Sequence, residues 1–318
     1  MRMKTTGRRN FGYGKQMDWA GKQALRAGYG NGRYGTVAAH TQRWRQFVAW
    51  CRSERGIRDA RRVDRSTVKA YGTYLADKVT EKSMSVSYAQ NLLSSVNVVL
   101  ESLRGDRRIR IAPAAVVGKR THVRTQPPAG LDRQAVRQCA NQLRQNGHER
   151  IASVVELTRA LGLRLREASM LDARAALRQA MKHSAVNITA GTKGGRGHRV
   201  DRWVPATKIT IGCLVRAAKA QGTGRNLIPT ELSWRQWNTR VHHVWAAVRD
   251  DFSLKKLHDL RAAYACERYR NITGSVAPVV AGRRIADRST DRAARQTIAQ
   301  ELGHARSDVV AAYIGGAR

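Results

Sequence analysis

The chain has 318 residues, 42% of them apolar, enough for two domains with separate cores and too many for wholesale disorder. Its 59 Lys and Arg outnumber 23 Asp and Glu to give a formal charge of +36, which a folded chain tolerates best against a polyanion, nucleic acid being the usual one. No apolar run is long enough to span a bilayer, no signal-peptide pattern opens the chain, and the four scattered cysteines (Cys51, Cys139, Cys213, Cys266) form no CxxC pair; the expectation is a cytoplasmic protein with reduced thiols and no membrane partner, disulfide framework or structural zinc site.

In chain order, residues 1–35 are basic and glycine-rich with interleaved aromatics, and read as an arm, either flexible on phosphates or with a short helix near Met17 to Ala27. Three helices are predicted within residues 36–117. The first carries "TVAAHTQRWRQFVAWCRSERG" and stops at Gly56; the second follows Asp64 as N-cap, with Val68, Tyr71, Leu75 and Val79 on one face. The third runs from about Ser85, with Tyr88, Leu92, Val96, Val99 and Leu103 as its stripe. Residues 118–130, with Pro127-Pro128 and Gly130, disfavour helix and read as a linker to a second domain, residues 131–318. There, helices start after Asp132 and carry "ERIASVVELTRALG"; "AVNITA" and "HRVDRWVP" read as strands joined by the glycine-rich turn "GTKGGRG", and helices return from Ala206.

Five elements of this second domain belong together. They are Arg164 in "GLRLRE", with Glu167 three residues on; Lys193 at the hairpin tip; His258 and Arg261 in "HDLR", spaced to share a helix face; His304 in "LGH"; and Tyr313, nine residues beyond that histidine. Alone, each is an ordinary solvated charge, helix-surface histidine or core aromatic. In this order they resemble the catalytic set of the tyrosine recombinases, the phage-integrase family, and in particular integrase-domain proteins of bacterial integrative elements. Arg164 is preferred to Arg166 because only it stands in the "GLR" position with an acid three residues later. Lys193 is preferred to Lys182 because its flanking glycines let the tip approach a phosphate.

The chemistry accounts for the residue types. Attack on a phosphodiester builds negative charge on oxygens that planar arginine forks can hold in pairs, and the two histidines can add hydrogen bonds or move a proton. A tyrosine hydroxyl, with an ordinary pKa of about 10, needs a cationic pocket to serve as a nucleophile.

The resemblance implies a mostly α fold: an N-terminal helical, SAM-like core-binding domain and a mainly helical tyrosine-recombinase catalytic domain with a small β-ribbon. It implies a site-specific DNA recombinase that cuts and rejoins double-stranded DNA through a 3′-phosphotyrosyl intermediate on Tyr313, with Lys193 as general acid and no metal or other cofactor. The implied assembly is a homo-tetramer on two DNA sites, with room for an accessory DNA-bending or directionality protein, at the bacterial nucleoid. Type IB topoisomerase-like relaxation and a non-catalytic DNA-binding accessory role are the alternatives, and Tyr264 and Tyr269 are the alternative nucleophiles. Two departures stand out. The polar, basic stretch "TGSVAPVVAGRRIADRSTDR" lengthens the interval between Arg261 and His304 and reads as a loop, either contacting DNA or a subunit or simply solvated. Only "IGGAR" follows Tyr313, where many relatives carry a further helix.

Overall fold

Two of the long helices of the first half start where a short polar side chain takes up a free amide group. The structure, a computed structural model, describes residues 7–317; residues 1–6 of the predicted arm and Arg318 lie outside the described residues. Two compact units divide at Thr121/His122.

In the first unit, α1 (Met17–Tyr29) and α2 (Tyr34–Arg55) precede α3 (Arg65–Thr80), capped by Asp64, which accepts from the Thr67 amide at 2.7 Å, and α4 (Val86–Arg104), capped by Ser85, which accepts from the Tyr88 amide at 3.2 Å. A short α5 (Pro113–Val116) follows. Trp44, Phe47, Tyr71, Leu92, Leu93 and Val96 form the centre of its core.

The predicted arm divides differently. Met17, Ala20, Ala24 and Leu25 of α1 are buried in that core, and the Trp44 indole nitrogen donates to the Met17 carbonyl at 3.0 Å. Upstream, buried Asn10 accepts from the Ala60 amide at 2.7 Å and donates to the carbonyls of Gly14 and Lys15. The described part of the segment is thus built into the helical unit, because α1 has an apolar face that only packing can cover.

In the second unit α6 (Arg133–Gln145), capped by Asp132, packs on α7 (Glu149–Leu161), whose residues from Ile151 onward are all buried. Then come α8 (Leu165–Met170), α9 (Ala173–His183), and an antiparallel ribbon of β1 (Ala185–Asn187) and β2 (Trp203–Pro205), in which Val186 faces Val204. The remaining helices are α10 (Lys208–Gln221), α11 (Trp234–Val248), α12 (Leu257–Thr273), α13 (Pro278–Ala281), α14 (Arg288–Glu301) and α15 (Ala311–Ile314). No helix among the described residues is long and apolar enough to cross a membrane, and all four cysteines are buried free thiols.

The strands are shorter than their sequences predict, because Lys193–His198 coils into a 3-10 turn. That turn is closed by the Gly197 amide donating to Thr189's neighbour-but-two, the Thr192 hydroxyl, at 2.8 Å; a Cβ on Gly197 would stand 2.2 Å from the Thr189 carbonyl oxygen, so only glycine fits.

Two polar stretches are more ordered than expected. Within 118–130, the Arg124 amide donates to the Ala311 carbonyl at 2.9 Å and its guanidinium pairs with Asp259 at 2.7 Å, strapping this part of the predicted linker onto α12 and α15. The stretch between Arg261 and His304 is not a solvated loop. It forms α13 and the start of α14, which Asp287 caps by accepting from the Ser289 and Thr290 amides, and Val279 and Asp291 are buried.

Candidate active site

Helix α7 ends at Gly162, with φ of +61°, where a Cβ would stand 2.4 Å from the Tyr264 ring. The tight turn this allows aims the Gly162 carbonyl at Arg261, whose Nη1 donates to it, and delivers Arg164 to the N-terminus of α8 two residues later. Glu167 then reaches back: one carboxylate oxygen accepts from the Arg164 amide at 2.8 Å and the other from Arg164 Nη1 at 2.5 Å. The same carboxylate pairs with Arg202 at 2.9 Å and with Arg261 at 3.5 Å, and has no exposure to solvent. Burial pushes the Glu167 carboxyl up, but Arg202, Arg261 and Arg164 together outweigh it and hold it below the usual carboxylate range.

Arg261, on α12, is fully buried. Its Nη2 donates to the Leu302 carbonyl at 2.6 Å and its Nε donates to the Tyr313 hydroxyl at 3.3 Å. Burial lowers its pKa to about 10, so the guanidinium stays charged at neutral pH. Tyr313 rises from α15 with its ring 4% exposed, yet its hydroxyl lies 3.1 Å from His304 Nε2 and its ring centroid 5.4 Å from both the His258 ring and the Arg261 guanidinium. It is a core aromatic whose polar end meets the Arg261 guanidinium and the His304 imidazole.

His304 follows the C-terminus of α14, its amide bonded to the Ala299 carbonyl at 2.8 Å. Burial first, then Arg261, Arg164 and Arg202, lower its pKa to about 4, so the imidazole is neutral at pH 7. His258 retains an exposed edge, but partial burial and then Arg261 lower its pKa too. Lys193, at the start of the 3-10 turn, is exposed and borders a cavity of about 310 Å³ whose walls include Arg164, Arg202 and His304. His258 borders a neighbouring cavity of about 440 Å³, shared with Arg164 and Lys256.

All six residues singled out in the sequence therefore stand around Tyr313 or around the cavity beside it. The other tyrosines are engaged elsewhere: Tyr264 donates to Glu301 at 2.7 Å and Tyr269 to Asp291 at 2.8 Å, and burial followed by those carboxylates pushes both hydroxyls above their ordinary pKa. Arg166 is exposed and stacks over Trp234, its guanidinium 5.7 Å from the ring centroid.

Sequence alone does not single out Arg202. It is 6% exposed, and its Nε donates to the Glu301 carbonyl at 2.7 Å. The available signal was period-two alternation: Arg202 and Val204 share the inward face of the ribbon while Trp203 between them points out.

An integrase family model matches residues 122–267. No curated protein matches the chain in sequence. Among solved structures, the Tn1549 transposon integrase in complex with circular intermediate DNA superposes with a TM-score of 0.60 at 11% identity, over 96% of this chain and 97% of that one. A lambda integrase dimer bound to a COC′ core site gives 0.57 at 14% identity, over 92% of this chain and 74% of that one. At such identities the structural likeness speaks for the fold, and it extends over both units. The integrase family model on residues 122–267 thus falls on the unit that holds the Arg–His–Tyr cluster, and the fold shared with the solved integrases runs across nearly the whole chain.

Proposed function

We propose that this protein is a site-specific recombinase, which cuts and rejoins double-stranded DNA through Tyr313. The Tyr313 oxygen attacks a backbone phosphorus, an O–P bond forms, and the bond from phosphorus to the 5′ oxygen breaks. The product is a 3′-phosphotyrosyl link and a 5′-hydroxyl. The phenol proton passes to His304 Nε2, which is neutral at pH 7 and 3.1 Å away. The departing 5′ oxygen takes its proton from Lys193. Arg164 and Arg261 offset the charge that grows on the non-bridging oxygens, and His258 adds a hydrogen bond. Attack by another strand's 5′-hydroxyl reverses the step, frees Tyr313 and keeps the phosphodiester bond energy, so no nucleotide cofactor enters. A homo-tetramer on two DNA sites would exchange strands in pairs, with an accessory DNA-bending or directionality protein as a helper.

The observation that carries this reading is the convergence of Arg261 Nε and His304 Nε2 on one tyrosine hydroxyl. It is tested with a pool of duplexes of randomised core sequence, each nicked so that a short fragment diffuses away after cleavage. The wild type should leave a covalent protein–DNA adduct, and sequencing the attached strand gives the preferred site. Tyr313→Phe should bind the recovered duplex as tightly and form no adduct. An adduct on the phenylalanine variant would dismiss Tyr313 as nucleophile.

A further inference from the structure

Arg202 is the one buried guanidinium at this site that the proposed chemistry does not use. Glu167 already has Arg164 and Arg261 as partners, so a third arginine leaves three positive charges around a single carboxylate. Burying excess charge is costly unless the geometry returns something. Its two Nη atoms do not recover the cost through hydrogen bonds: the approach of 2.9 Å to Glu167 is an ion-pair contact, while neither Nη atom makes a well-directed bond and both are shielded from solvent. Shielded in this way, those atoms do not face a phosphate in the cavity directly.

What Arg202 does is join elements. Its main chain closes the base of the ribbon, with the Ile188 amide donating to the Arg202 carbonyl and the Arg202 amide donating to the Asn187 side chain, both at 2.9 Å. Beyond that base runs the turn that carries Lys193. Its side chain passes beneath the Gly303–His304 turn, where a Cβ on Gly303 would stand 3.1 Å from Arg202 Cδ. There its Nε holds the Glu301 carbonyl at the end of α14, and its tip meets Glu167, the partner of Arg164. Lys193 itself makes no hydrogen bond or ion pair among the described residues, so the position of its ammonium depends on how the ribbon is seated.

We infer that Arg202 is a positioning residue for leaving-group protonation: it pins the ribbon bearing Lys193 against the elements bearing Arg164 and His304, so that the ammonium stands where the 5′ oxygen departs. This rests on the reading of Tyr313 as nucleophile and Lys193 as general acid.

The test uses the full chain and the duplex recovered by adduct capture, made in two forms. One has the ordinary bridging 5′ oxygen. The other has sulfur there, which leaves as a thiolate (thiol pKa about 8.5) and needs no proton. Arg202→Met removes the charge and the Nε bond, and Arg202→Lys keeps the charge but cannot span Glu301 and Glu167 together. Both should bind DNA as wild type does and cleave the oxygen duplex at least about tenfold more slowly, a part of the roughly 10²- to 10⁴-fold that a general acid supplies. Both should cleave the sulfur duplex at close to the wild-type rate, as Lys193→Ala should. Thermal unfolding checks that each variant is folded, with Arg202→Gln as replacement for one that is not. Equal losses on both duplexes would mean that Arg202 acts on the phosphate or on the fold at large, and no loss on either would mean that it positions nothing; either result overturns the inference. Wild-type protein that forms no adduct with either duplex would instead overturn the underlying reading of Tyr313, and this inference with it.

Discussion

His304 is kept neutral because burial and three guanidiniums oppose a further positive charge at that point, which lowers its pKa from 6.5 to about 4. The same shift makes native stability depend on pH. Between those two values the unfolded chain holds a proton on this imidazole that the native chain does not, so the unfolded state binds more protons and stability falls as pH is lowered through that window. Above pH 6.5 the contribution is constant. His258, lowered by partial burial and by Arg261, acts in the same direction. In urea unfolding at pH 7.5 and at pH 5, His304→Gln should therefore lose less stability between the two conditions than wild type, by about 1 kcal/mol once partial exposure to solvent is allowed for. A wild type and variant with the same loss would show that His304 titrates at its ordinary value of 6.5 in the native protein, without the shift that burial and the guanidiniums impose.

At the scale of elements, helix α14, whose first turn lies in the stretch that reads as a loop, supports the segment that carries Tyr313. Arg295 on α14 donates to the Gly315 carbonyl at 3.0 Å and to the Gly316 carbonyl at 2.9 Å, gripping the backbone just after Tyr313. Its Nε is paired with buried Asp291 at 2.9 Å, and Asp291 accepts from Tyr269 on α12. Arg295→Met would leave Asp291 buried without its cation and two carbonyls without a donor, at a cost of about 3 kcal/mol. Hydrogen exchange over residues 311–316 should quicken, and adduct formation should slow more than DNA binding weakens. The sequence reads helices from Ala206 onward but a loop over the first turn of α14, because the inward face of that helix is Asp291, Ala294, Arg295 and Ile298, half of it polar residues that pair with each other, and hydropathy sees no stripe there. By contrast α3, α4 and α6 were legible, since Asp64, Ser85 and Asp132 mark their starts and apolar residues recur at helical spacing after them. The six candidate site residues stand out through motif and order. Arg202 was not, because one arginine among 59 basic residues announces nothing until its burial is known.

For the whole molecule, the formal charge of +36 comes from 59 basic against 23 acidic side chains. Several of the few carboxylates are spent inward: Glu156 on Arg144 and Arg216, Glu267 on Arg133 and Arg159, Glu301 on Arg268, and Glu167 on the site arginines. These pairs hold the second unit together and leave most other cations with no acid nearby, so self-repulsion is relieved best when phosphates approach. Binding should then be dominated by counterion release, with the logarithm of affinity falling linearly against the logarithm of salt. If about six to ten phosphates are neutralised, affinity for the recovered duplex drops about 10³- to 10⁵-fold between 50 and 200 mM salt. The slope separates roles that affinity at one salt concentration confuses. Tyr313→Phe removes no charge and should leave it unchanged, whereas Lys193→Met, which deletes the proposed phosphate contact, should reduce it by about one. An unchanged slope for the lysine variant would place its ammonium away from the DNA backbone, where it could not protonate a departing 5′ oxygen.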